Sequence, residues 1–158
     1  MMFLPLIATI LLIGIDQITK YIALTNLKPI GSTVFINGFM DFTFVENRGA
    51  AFGILEGQRW FFVVITVIIS VAIIYAFFKL PSKKEYMWLR VSFVLILAGA
   101  IGNVIDRFFR GYVVDFFEFT FVKWPVFNVA DIYVVVGTLL FAFLLLFVIK
   151  EEPKENKK

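Results

Sequence analysis

Four long apolar runs divide the chain, and each is broken by polar residues in its own way. A helix needs about 20 mostly apolar residues to cross the hydrocarbon core, which places spans at about 2–24, 60–78, 88–109 and 124–149. The first contains Asp16, Gln17 and Lys20, whereas the second is interrupted only by Thr66 and Ser70. The uncharged run from Val91 to Ile105 is too short to span, so the third helix is expected to continue past Asp106 and Arg107. The fourth carries Asn128 and Asp131.

The long connection from Asn26 to Gln58 has a different period. Val34-Phe35-Ile36 and Phe39 to Val45 flank Asn37-Gly38, a hairpin signal, because Asn-Gly supplies the positive φ angles of a tight turn. Gly49, Ala50, Ala51 and Phe52 follow as a short amphipathic segment expected to rest on the bilayer. The pattern predicts an all-α membrane protein of four transmembrane helices, with a small outer β-sheet from about 26–58. A single membrane-embedded unit over 1–158 is expected, with no internal repeat.

Charge fixes the expected orientation. Lys79, Lys83 and Lys84 lie between spans two and three, and Lys150, Lys154, Lys157 and Lys158 follow span four, so the positive-inside rule puts both segments and both termini in the cytoplasm. The first 15 residues carry no charge and lack the basic start of a secretory signal, and are read as a retained helix. The tail from Lys150 to Lys158 is read as a solvated end. Basic residues sit at the ends of apolar runs and not in one patch, which argues against a nucleic-acid partner.

Composition sharpens this. The chain is 61% hydrophobic with a mean hydropathy of +0.92, more apolar surface than a soluble fold of this size could bury. It has no His and no Cys, which removes the usual zinc ligands, Cys nucleophiles, Ser-His-Asp triads and disulfides. No metal and no cofactor are expected. Any catalysis must rest on Asp, Glu, Lys, Arg, Ser, Thr or Tyr.

Counting along the helices at about 1.5 Å per residue puts Asp16, Asp106 and Asp131 at similar depth in the outer part of the membrane, on three different spans. Asp115 lies just past span three, on the same side. A charge at the bilayer centre costs about 2.5–3.5 kcal/mol, so several at one depth must serve each other or a function. Asp16 and Lys20, four apart, read as a structural ion pair, and Asp106 reads as a cap reaching Arg110. Asn103 and Asn128 read equally as bonds between neighbouring helices, and Ala98 and Gly102 are spaced for close helix packing. Asp115 and Asp131 have no basic residue three or four positions away, so no local ion pair explains them. Two carboxylates brought together in a partly dry site share a proton near neutral pH, the equipment of an aspartic peptidase. The two are 16 apart, so pairing requires the chain to return through the stretch around Lys123, Trp124 and Pro125.

At these residues the sequence resembles the bacterial lipoprotein signal peptidases, or signal peptidase II. Asp16-Gln17-Ile18-Thr19-Lys20 is similar to the family's first motif and Glu46-Asn47-Arg48-Gly49-Ala50-Ala51-Phe52-Gly53 to its second. Gly102-Asn103-Val104-Ile105-Asp106-Arg107 resembles the third, and Val113-Val114-Asp115-Phe116 and Phe127-Asn128-Val129-Ala130-Asp131 resemble the segments holding the catalytic aspartates. The resemblance covers nearly the whole chain, with the blocks in the family's order. It implies a four-helix aspartic peptidase with an outer β-cradle in the bacterial cytoplasmic (inner) membrane, its site near the outer face. The implied partner is a diacylglyceryl prolipoprotein, cut before its lipidated Cys, with membrane lipid around the enzyme and a monomer expected. By the same carry-over Asp115 and Asp131 are the catalytic pair, Asn47, Asn103, Arg107 and Asn128 line the substrate groove, and Asp16, Lys20, Gly49 and Asp106 support it. Ile132 departs from the small polar residue many relatives carry after the second aspartate. The competing readings are a proton- or ion-coupled transporter, a non-catalytic scaffold subunit and, last, a Ser/Lys peptidase built on Ser32 and Lys28.

Overall fold

The computed structural model describes residues 3–50, 54–81 and 83–149. Helix α1, Phe3–Ile22, continues through a π-helical turn, Ala23–Leu27. Strands β1, Ser32–Ile36, and β2, Met40–Asn47, follow. Helix α2 is Arg59–Lys79, and α3, Met87–Phe109, is entered through a 3-10 turn, Lys84–Tyr86. Strand β3, Val113–Phe119, leads to α4, Val129–Phe143, which ends in a second π-helical turn, Leu144–Val148. Four helical stretches, Phe3–Leu27, Arg59–Lys79, Lys84–Phe109 and Val129–Val148, are long and apolar enough to cross a membrane.

Helix α3 is the hub, packing against α4, α1 and α2. In hydrocarbon there is no hydrophobic drive between helices, so close van der Waals approach and polar bonds hold them. Glycine permits that approach between α3 and α4. A Cβ on Gly137 would lie 2.9 Å from Ile96 and Leu95 side-chain atoms, and one on Gly99 would overlap the Ala130 carbonyl and the Val134 side chain.

The sheet is antiparallel in the order β1-β2-β3. Its hairpin sits where Asn37-Gly38 predicts, but only Gly38 has positive φ, at 72°, while Asn37 does not. The Phe39 N–H closes the turn on the Ile36 carbonyl at 2.9 Å, so the loop uses a turn with one left-handed residue. Strand β3 is an addition to the expected hairpin. Its alternation buries Val114 and Phe116 against Ala23 and Leu27 of the π-helical turn, which is why α1 runs on to Leu27 and past the expected boundary near Leu24.

Span four departs further from expectation, beginning at Val129 and not near Trp124. Pro125 has no N–H to give a helix, and Phe127 is used otherwise: its N–H donates to the Phe117 carbonyl at 3.0 Å and its carbonyl accepts from Phe117 at 2.8 Å. Asn128 then caps α4. The expected amphipathic segment Gly49 to Phe52 and the tail from Lys150 fall partly or wholly outside the described residues.

Candidate active site

Two structural devices bring Asp115 and Asp131 together. On β3, with Val114 and Phe116 turned into the apolar cluster, Asp115 faces the other way. The Phe117–Phe127 bridge then folds the chain back so that Asn128 arrives beside Asp115. Asn128 and Asp131 form a reciprocal capping box: the Asn128 Oδ1 accepts the Asp131 N–H at 3.0 Å, and Asp131 Oδ2 accepts the Asn128 N–H at 3.1 Å. Because the cap occupies Oδ1, the Asn128 amide presents Nδ2 to Asp115, donating to Oδ1 at 2.6 Å. One side chain thus touches the residues of both acids.

The remaining carboxylate oxygens are also held. Asn47 Nδ2 donates to Asp115 Oδ2 at 2.8 Å, its own Oδ1 being fixed by the Gly49 N–H at 3.0 Å. Asn103 Nδ2 donates to Asp131 Oδ1 at 2.8 Å. Asp115 is 1% exposed, whereas Asp131 is half-buried at the first turn of α4. Burial first, and then the neighbouring Asp131 charge, push Asp115 up to about 7 from the ordinary 3.8, against the opposing effect of the Asn47 and Asn128 donors. Arg107 lies over the Phe62 ring, 4.8 Å from its centroid, and donates to the Gly49 carbonyl at 3.0 Å. It therefore ties α3 to the loop after β2 and to α2.

Beneath the pair is a second polar layer. Lys20, fully buried, meets Asp16 Oδ2 at 2.9 Å and Asp106 Oδ2 at 3.2 Å, and donates to Asn103 Oδ1 at 2.9 Å. Arg110 pairs with the other oxygen of Asp106, and Gln17 Nε2 donates to Asp16 at 3.1 Å and Asp106 at 3.3 Å. Gly102 leaves the room for this layer: a Cβ there would lie 2.5 Å from Asp16 Oδ2. Among the described residues no buried side-chain polar atom lacks a partner, and no three acidic, His or Cys side chains converge as a metal site.

A model of the Signal peptidase (SPase) II family matches residues 8–147. The chain belongs to the signal peptidase II family. A lipoprotein signal peptidase of Caldanaerobacter subterraneus subsp. tengcongensis is 49% identical over 133 residues, covering 84% of this chain and 89% of that one. One from Clostridioides difficile is 40% identical, covering 91% of this chain and 95% of its own length. A bacterial membrane enzyme solved by the in meso method superposes with a TM-score of 0.83 at 37% identity, over 96% of this chain and 94% of that one.

The candidate site residues named in the sequence lie in these two layers or at the adjoining loop. Asn47, Asn103 and Asn128 bond the two aspartates, while Asp16, Lys20 and Asp106 lie in the layer below; Gly49 and Arg107 meet at the loop. Asp106 reaches Arg110, and the Asn103–Asn128 bond between α3 and the start of α4 is present at 3.2 Å. Sequence reasoning missed Gln17 as a bridge between two carboxylates, and the backbone N–H groups of Val114 and Ala130, which carry no sequence signal. Ile132 is 40% exposed, and Asn103 and Asn128 supply the bonds to Asp131.

Proposed function

We propose that the chain is an aspartic endopeptidase of the membrane that removes the signal peptide of diacylglyceryl prolipoproteins, cutting before the lipidated Cys, with Asp115 and Asp131 as its catalytic pair. The observation that carries this reading is the shared bonding of both aspartates through Asn128. Kinship with lipoprotein signal peptidases supports the substrate class. Lys79 and Lys84 at the far ends of α2 and α3 from the aspartates support cytoplasmic termini and a site near the outer face.

The division of labour follows from the two environments. Asp131 sits at the first turn of α4, is the less buried of the two acids and is held by the Asn128 N–H, so it is the one that meets water and serves as the base. Asp115, buried and raised to about 7, holds the proton. Asp131 takes a proton from water as its oxygen attacks the scissile carbonyl, and Asp115 gives its proton to the carbonyl oxygen, forming a neutral tetrahedral diol. A diol proton then returns to Asp115 while Asp131 delivers its proton to the departing nitrogen, which restores both groups as the C–N bond breaks. Asn47, Asn103 and Asn128 hold the acids in place, and Arg107 holds the loop over the groove.

Incubating the purified full chain in detergent with a diacylated prolipoprotein, then weighing the products, tests this. A fragment beginning at the lipidated Cys is expected. Uncut substrate, or a cut elsewhere, contradicts it.

A further inference from the structure

Asp16 and Asp106 are used in the same way on opposite sides of Lys20. Asp16 Oδ1 accepts the Ala130 N–H at 3.0 Å, and Asp106 Oδ2 accepts the Val114 N–H at 3.1 Å. Ala130 immediately precedes Asp131, and Val114 immediately precedes Asp115. The residue before each aspartate of the pair is therefore tethered through its N–H to a buried carboxylate, and both carboxylates are paired with one ammonium. The third Lys20 bond, to Asn103 Oδ1, fixes which end of that amide is left for Asp131. A simple helix-to-helix ion pair would need neither backbone tether nor the amide.

Resting on the catalytic reading above, we propose that Lys20 is the positioning residue of the pair: through Asp16, Asp106 and Asn103 it sets the separation and orientation of Asp115 and Asp131 without touching substrate. The α1 segment Asp16 to Lys20 is then a jig, joining strand β3 to the first turn of α4. A pair that exchanges protons with one water and one carbonyl is sensitive to such placement, since a displacement near 1 Å costs about 10²-fold in rate. The charges facing Asp115 are Asp131 from α4, Lys20 from α1 and Arg107 from α3, with Asn47 of β2 and Asn128 donating to it.

The test uses the full chain in detergent with a diacylated prolipoprotein peptide. Lys20→Met is compared with the pair deletion Asp16→Asn/Lys20→Met, which leaves no buried charge of that pair unmatched. Rates are expressed per folded molecule, with folding read from thermal melting. Positioning predicts a kcat at least tenfold lower in the pair deletion with KM within about twofold. Losing the Lys20 charge should also move the alkaline limb of the Lys20→Met pH profile upward, because that ammonium favours the Asp115 anion. A pair deletion with wild-type kcat, or one impaired through KM alone, overturns the proposal, as does an unmoved alkaline limb. If neither variant folds, Asp106→Asn, which keeps an oxygen for the Val114 N–H, decides by the same kcat criterion. Wild-type protein that fails to cleave would instead overturn the catalytic reading.

Discussion

Helices α2 and α3 are almost equal in length, 21 and 23 residues, and opposite in character. Helix α2 buries no residue, and its contacts with this region come from its N-terminal end, where Phe62 lies under Arg107 and Trp60 meets Phe108 edge-on. Helix α3 buries Ala98, Gly99, Gly102 and Asp106 among others, and gives Asn103 and Arg107 to the site. Since lipid tails are as apolar as the side chains of α2, burying that helix would gain little. Among the helices, α1, α3 and α4 position the candidate site, where small residues and polar bonds dictate position, and α2 serves as a wall.

If that contrast is right, substitutions around α3 and α4 should be costly, and those along α2 nearly silent. Asn128→Ala should have the largest effect of these. It deletes the helix cap and the donor to Asp115, so cleavage should fall about 10²-fold or more, with about 1 kcal/mol lost from stability. Single-turnover rates and thermal melting read the two losses separately. Gly137→Leu should follow, forcing a side chain into Ile96 and Leu95 and destabilising the bundle by about 1–3 kcal/mol. A melting temperature equal to wild type would show that the α3–α4 approach is loose.

The expected pH effect is smaller near neutrality. Burial raises Asp115 to about 7, so its protonated form is present below that pH and lost as pH rises through it. Because Asp115 must hold the proton, kcat/KM should decline on the alkaline side of about 7, approaching tenfold per unit. A rate flat to high pH would exchange or remove the assigned roles. Val67→Leu on the exposed surface of α2 should be the least consequential, changing stability by under about 0.5 kcal/mol and cleavage by less than twofold.

The difference between the two helices was largely legible in the sequence. Thr66 and Ser70 are the only polar breaks in α2 apart from Tyr75, whereas the other spans carry acids and amides that hydrocarbon does not tolerate unpaired. Depth counting therefore brought Asp16, Asp106 and Asp131 to one level, and the lack of a local partner separated Asp115 and Asp131 from the structural ion pairs. What periodicity could not give was β3. Val113 to Phe119 is rich in β-branched and aromatic residues, but its pairing with β2 and its back-bonding to Phe127 are long-range choices. The Ala130 and Val114 tethers were equally hidden, because a backbone N–H has no residue type.

Asp115 and Asp131 are expected to act as one unit, and single-turnover cleavage of wild type, Asp115→Asn, Asp131→Asn and the double variant, with melting curves, tests that most directly. An amide neither takes the water proton nor returns one, so each single change should reduce the rate by about 10⁴-fold or more, with the double variant hardly worse. Melting temperatures should change little, since Asn matches the size of Asp and keeps an acceptor oxygen at both positions. Substantial cleavage by either single variant, or losses that add in the double, would contradict the account.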